Sequence, residues 1–267
     1  MCANARIDNG KLFMRYSMDL LFKQTVTVES CDTNHNGVLK LSALLHYVQE
    51  ISGAHSDRLG HTWDSLAEKN LFWAVLRHRA VIHRLPKAGQ TVHLQTWPMP
   101  ATRSAYPRAV QAFDEQGNIL FETVSLWVLM NTQTRTMVLP GKSGIDVPGI
   151  LRGNEITAPG SLSPCSGENT SLWSVRTDDL DINGHVNNAN YMDHAERLIG
   201  DIPVTPKEFT VCYLAEALLG QAVTLRWCMS ADGILSVDGT RPRADDQEKT
   251  ERVFAVKLSC SVNQSEL

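Results

Sequence analysis

The densest group of chemically competent side chains in this sequence is Asp181-Ile-Asn183-Gly-His185-Val-Asn187-Asn188. Asp181, Asn183 and His185 are two residues apart, so an extended backbone aims all three to one side. A carboxylate, an amide and an imidazole would then share one patch, enough for general acid–base work. Directly after them the spacing predicts a helix. Its first backbone N–H groups have no intrahelical partner and carry partial positive charge, which suits a developing oxyanion. Asn187 or Asn188 can cap that end. The plain alternative is that Asp, Asn and Gly are turn formers before a capped helix. The histidine among them shifts the balance toward chemistry.

The elements that must hold this segment recur twice along the chain. In the second half a strand over 171–175 leads into the motif, and the helix runs over 188–198, closed by Gly200 and Pro203. Tyr191, Ala195 and Leu198 share one stripe of that helix, with Asp193, Glu196 and Arg197 mostly on the other. Strands are predicted over 209–214, 222–229, 234–237 and 253–262. In the first half a strand over 22–29 enters the turn-rich Asp32-Thr-Asn-His-Asn-Gly37, followed by Leu41, Leu44, Leu45, Val48 and Ile51 at helical spacing. Strands follow over 71–83, 91–97, 106–113 and 119–130, the last two joined by the hairpin signal Asp114-Glu-Gln-Gly117-Asn. Both helices are introduced by Asn-Gly, at Asn36-Gly37 and at Asn183-Gly184, which supports an internal duplication. Between the halves, residues 140–170 hold six glycines and four prolines and read as a linker. We therefore expect domains at 1–140 and 171–267, joined by 141–170. A long helix followed by a meander predicts an α+β fold with the sheet wrapped around the helix.

The pattern Asp181-x-Asn183-x-His185-Val-Asn187-Asn188-x-x-Tyr191 resembles the signature of the acyl-acyl carrier protein thioesterases of plants and bacteria. The likeness spans nearly the whole chain, including the duplicated order and the Leu126-Trp127-Val128 strand before 136–140. It implies a tandem (double) hotdog and hydrolysis of fatty acyl thioesters on acyl carrier protein, with no cofactor. In that family the Asp, Asn and His act with a glutamate in a strand reading Tyr-x-x-Glu, which Tyr213-Leu-Ala-Glu216 matches. Plant members carry a cysteine directly after this glutamate, whereas this chain has Ala217, which argues against a cysteine nucleophile. Whether Asp181 attacks the thioester carbon or helps to activate water stays open. The resemblance also places the acyl chain in the N-terminal half, where Leu44 and Trp73 are candidates for its pocket. Arg77, Arg79, Arg84, Arg103 and Arg108 are candidates for docking an acidic carrier protein.

Composition narrows the field from the other side. A net charge of −4 argues against nonspecific nucleic-acid binding. Six scattered cysteines without a CxxC pair indicate neither a disulfide framework nor a zinc site, and they fit a reducing cytoplasm. Cys212, in an apolar strand, reads as a buried structural thiol. No apolar run approaches a membrane span, and residues 1–23 carry charges throughout, so neither insertion nor secretion is expected. There is no HExxH metal motif, no Gly-rich phosphate loop and no GxSxG elbow. Two competing readings remain: a coenzyme A thioesterase of the broader hotdog group, and an acyl-binding module without catalysis. Two hotdogs in one chain already supply the pairing that single-hotdog proteins obtain by dimerising, so the chain is expected as a monomer or a homodimer.

Overall fold

The computed structural model describes residues 20–181, 183–200, 204–243, 245–246 and 248–262. The charged stretch up to residue 19 and the stop signal at Pro203 lie outside the described residues. The first half comprises β1 (Phe22–Thr27), α1 (Leu41–Arg58), α2 (Trp63–Ala67), β2 (Leu71–Ile82), β3 (Thr91–Pro98), β4 (Tyr106–Phe113), β5 (Ile119–Asn131) and β6 (Met137–Val138). After a short helix α3 (Pro140–Ser143), the second half comprises β7 (Asn169–Ser174), α4 (Asn188–Arg197), β8 (Val204–Tyr213), β9 (Ala222–Met229), β10 (Ile234–Pro242) and β11 (Thr250–Val262).

All strands pair antiparallel in one eleven-stranded sheet ordered β1-β3-β4-β5-β2-β8-β11-β10-β9-β7, with β6 beside β5. Helix α1 forms because Leu41, Leu44, Leu45, Val48 and Ile51 recur on one face, and all five are fully buried. The sheet curves around α1 and α4, as expected of a tandem hotdog.

A pseudo-dyad relates the halves. It passes through the Arg79–Thr210 pair of β2 and β8, so that Ala80↔Phe209 and His78↔Val211 are images of each other. The register carries outward from there. Breaks fall between Val75 and Arg77 where β2 meets β5, and between Ser259 and Cys260 where β11 meets β8, which are equivalent places. Following the pairing, Arg108 of β4 corresponds to Leu235 of β10, and Trp127 of β5 to Cys260 of β11.

Residues 144–168 form no free tether. Ile150 and Ile156 pack on Trp97, Ala109 and Val124 on the outer face of the sheet, and Glu155 accepts the Trp97 indole N–H at 3.0 Å. Further along, the Cys165 N–H donates to Asp238 at 2.8 Å. Glycine is required where this strap presses on the sheet. A Cβ on Gly149 would lie 2.3 Å from the Met99 carbonyl, and one on Gly167 2.3 Å from the Trp227 carbonyl oxygen. At Gly149 and Gly167 the glycine thus reflects close approach, not flexibility. Among the described residues no helix is long and apolar enough to cross a membrane.

Candidate active site

The Asp181 segment is a closed turn, not the extended strand expected from the two-residue spacing. Asp181 N–H donates to the His185 carbonyl at 2.7 Å, and Gly184, at φ +77°, donates to the Asp181 carbonyl at 3.0 Å. The Asp181 carboxylate stabilises the turn from inside: Oδ1 accepts the backbone N–H groups of Asn183 (2.8 Å) and His185 (3.2 Å). Carboxylate bonds to backbone donors compete well with a straight strand, which explains the difference. The Asn183 side chain is exposed, with Nδ2 3.4 Å from Asp181 Oδ2.

Three contacts fix what the turn faces. Val186 N–H donates to Ala217 at 2.9 Å, His185 bridges Leu218, and Asn187 N–H donates to Asp179 at 2.8 Å. His185 Nε2 is thereby brought to 3.4 Å from Glu216 Oε2. Glu216 is half exposed, and its other oxygen accepts from Arg135, which the turn before β6 delivers from the first half. Arg135 adopts φ +55° there, and its guanidinium also covers the Phe72 ring. Ala217 is fully buried at the position where plant members carry cysteine.

Asn187 is the cap of α4, its Oδ1 accepting Ala189 N–H at 3.0 Å. Among the described residues nothing accepts the Asn188 N–H, the first of the helix. Beneath the site, Tyr191 is buried and tilts against Tyr213, ring centroids 5.8 Å apart. Burial pushes both phenols well above their ordinary range, so both stay neutral.

The first half repeats this turn bond for bond. Asn34 Oδ1 accepts Asn36 N–H (3.0 Å) and Val38 N–H (3.1 Å), Asn34 N–H donates to Val38, and Leu39 N–H donates to Pro86. The copy lacks the chemical groups. Val38 stands where His185 does, Leu85 where Glu216 does, and Leu44 where Tyr191 does. Its helix end is also occupied, since Leu41 N–H donates to Glu196 Oε2 of α4 at 3.2 Å. Gln49, like Glu196 the ninth residue of its helix, is the dyad counterpart at the other end.

The remaining candidates scatter. Trp73 lines a cavity of about 110 Å³ inside the first half, whereas Leu44 is buried in the core and does not line it. Gln49, Ser52 and Gly53 supply the helical wall instead. Arg108 is only 8% exposed and cannot meet a docking partner; it lines the same cavity. Arg77 is half-buried, Arg79 pairs with Glu208 at 2.8 Å, Arg84 pairs with Asp114 at 2.8 Å, and Arg103 is exposed. Arg135 was not identified from the sequence: it reaches Glu216 from the other half, and nothing local marks it. Among the described residues no cluster of side chains could hold a metal ion.

A sheet wrapped on two dyad-related helices, with an Asp/Asn/His turn at one helix entrance, defines a double hotdog of the thioesterase kind. Residues 19–139 match the acyl-ACP thioesterase N-terminal domain and residues 163–256 the acyl-ACP thioesterase C-terminal domain, so the chain belongs to the acyl-ACP thioesterase family. It is 25% identical over 189 residues to a chloroplastic palmitoyl-acyl carrier protein thioesterase of Cuphea hookeriana, covering 65% of this chain and 45% of that protein. With a dodecanoyl-[acyl-carrier-protein] hydrolase of Cinnamomum camphora it shares 28% identity over 194 residues, covering 65% and 50%. These alignments span about half the length of the curated relatives. In structure it is similar to an acyl-ACP thioesterase from Bacteroides thetaiotaomicron, with a TM-score of 0.81 at 21% identity over 91% of this chain and 99% of that one. The 12:0-ACP thioesterase from Umbellularia californica superposes with a TM-score of 0.73 at 21% identity, over 91% and 98%.

Proposed function

We propose that this chain hydrolyses fatty acyl thioesters carried on acyl carrier protein, releasing free fatty acid and the carrier thiol and so ending acyl chain synthesis. One observation carries the reading: the turn is duplicated in its backbone bonds, yet only the C-terminal copy bears His185 and Glu216 and leaves the first helical N–H open. Scaffold alone would not require that difference.

In this mechanism the thioester carbonyl oxygen meets the Asn188 N–H and the Asn183 amide, which stabilise negative charge as it develops. Glu216 and His185 orient a water and take its proton as its oxygen attacks the carbonyl carbon. The tetrahedral intermediate collapses, the C–S bond breaks, and the sulfur leaves with the proton returned through His185. Asp181 holds the turn and its charge supports the imidazole. Two backbone amides already occupy Asp181 Oδ1, which favours water over Asp181 as the attacking group. Single turnover in ¹⁸O-water distinguishes the routes, since label entering the Asp181 carboxylate would overturn the water route.

The acyl chain is assigned to the first-half cavity beside Trp73. Docking of the acidic carrier protein is assigned to exposed cations, of which Arg84 and Arg103 are among the candidates named above, together with Arg135 at the site mouth. The scattered cysteines, with no CxxC pair, fit the reducing, cytoplasmic setting assigned here. The β2–β8 pairing supports a monomeric working unit. The deciding test is free-thiol release from matched acyl-carrier-protein and acyl-coenzyme A substrates. Faster, more salt-sensitive turnover of the carrier-protein thioester is expected; preference for coenzyme A would reassign the substrate, and binding without thiol release would refute catalysis.

A further inference from the structure

The cavity in the first half is walled by Gln49 and Ser52 of α1, Trp73 of β2, Arg108 of β4 and Trp127 of β5. None of the proposed catalytic groups lines it, so on the reading above it receives the part of the acyl chain away from the thioester. A plain alkyl chain calls for apolar walls. Here three buried donors have no acceptor: Gln49 Nε2, Trp73 Nε1 and Trp127 Nε1. Buried donors without partners are costly and uncommon, and three around one cavity require an explanation.

Arg108 adds a cation to the same wall. Its Nη1 bonds His55 Nδ1 at 2.9 Å and Thr96 Oγ1 at 3.2 Å, and no carboxylate of the described residues pairs with it. Burial lowers its pKa to about 10, so it remains charged at neutral pH. The buried atoms without partners on residues of this wall, Gln49 Nε2, Trp73 Nε1 and Trp127 Nε1, are all donors, which calls for an acceptor.

The pseudo-dyad provides an internal control. Where the first half has Arg108 and Trp127, the second has the buried Leu235 and Cys260. Just behind Trp127, the buried His78–Ser125 pair, 2.6 Å apart, corresponds to buried Phe209 and Leu258. The fold therefore accepts apolar residues at all four places. Arg108, Trp127, His78 and Ser125 thus belong to the cavity and not to the scaffold, whereas Gln49 has the polar Glu196 as its counterpart.

We propose that this cavity selects acyl chains carrying a hydrogen-bond-accepting oxygen, a hydroxyl, a keto group or a carboxylate, away from the thioester end. The oxygen meets the Trp73 and Trp127 indole N–H groups, the Gln49 amide and the Arg108 guanidinium, while the rings pack against methylenes.

The test compares kcat/KM of the wild-type protein on carrier-protein thioesters of a plain acid and of same-length acids bearing a hydroxyl, a keto group or a terminal carboxylate, across several chain lengths. At least one oxygenated class is expected to exceed the plain chain by about tenfold or more, since a site with buried donors rejects a chain that leaves them unpaired. The class that does so identifies the oxygen. Plain chains matching or exceeding every oxygenated class at every length would overturn the proposal. Trp73→Phe and Trp127→Phe keep the ring and remove the N–H, so each should bring the oxygenated-to-plain ratio toward one; a ratio unchanged in both would also overturn it. If no thioester is cleaved, the hydrolytic reading fails separately. Tryptophan fluorescence titration with the free acids then decides: tighter binding of an oxygenated acid upholds the selectivity, and equal binding refutes it.

Discussion

Asp181 holds its turn and, in the proposed mechanism, also supports the imidazole, two tasks that the duplicated turn separates. In the first half a neutral Asn34 makes the same pair of bonds to backbone N–H groups, so an amide suffices to hold the loop. Asp181→Asn should accordingly leave the melting temperature within about 2 °C, a shift small beside that of a lost buried bond. The same variant should reduce thiol release by about a hundredfold or more. Asp181→Ala should lose both stability and rate. Normal turnover in Asp181→Asn would confine the residue to a structural role. His185→Ala should reduce turnover by a similar factor with the fold intact, as circular dichroism would record. The Arg135–Glu216 pair is solvated on both sides, so Arg135→Ala should scarcely alter thermal stability. It should change kcat and its salt dependence, because it frees the Glu216 carboxylate oxygen that faces away from His185.

At the scale of the elements, the turn, cap and strap govern how well the site is held. Asn187→Ala removes the α4 cap and should cost about 1 kcal/mol by denaturant titration, with a larger effect on turnover than on stability because the same helix end bounds the site. Gly149→Ala forces a methyl into the Met99 carbonyl and should lower the melting temperature by several degrees, an overpacking cost of about 1–3 kcal/mol. Much of this level was readable in advance. The 3.6-residue spacing of Leu41 to Ile51 and the alternation of the strands placed α1, α4 and the meanders within a few residues. What periodicity could not supply was the turn conformation at Asp181, since hydrogen bonds from a side chain to its own loop outweigh the spacing rule. Nor could it supply the strap: composition rich in Pro and Gly looks alike in a free linker and in a segment pressed against a sheet. Glu216 was a candidate only through family likeness, because an exposed glutamate has no local mark that singles it out. Arg135 was not legible at all, lying 81 residues from Glu216 and in the other half.

At the scale of the whole molecule, two halves share one sheet and only one carries the His185–Glu216 pair. Glu196, which closes the entrance of α1, is pushed up to about 7 by burial. The folded state therefore holds this proton more tightly than the unfolded chain, whose carboxyl titrates near 4.5. Stability from this group is complete below about pH 4.5 and falls as pH rises toward 7, where ionisation in place becomes the better option. Glu196→Gln, which mirrors Gln49, should raise stability at pH 8 by ~2 kcal/mol and flatten the profile between those values. An unchanged pH profile would show that the carboxyl is solvated in solution. The continuous β2–β8 ladder has one more consequence. Parting the halves would require breaking five paired positions at once, beside which the strap bonds to both strands, its Thr157 carbonyl accepting from Arg79 and its Gly160 carbonyl from Cys212. The shared ladder thus opposes breathing of the two halves against each other on the microsecond-to-millisecond scale. The proposed acyl substrate is therefore expected to enter end-first past rotating side chains, with its release paced by those rotations.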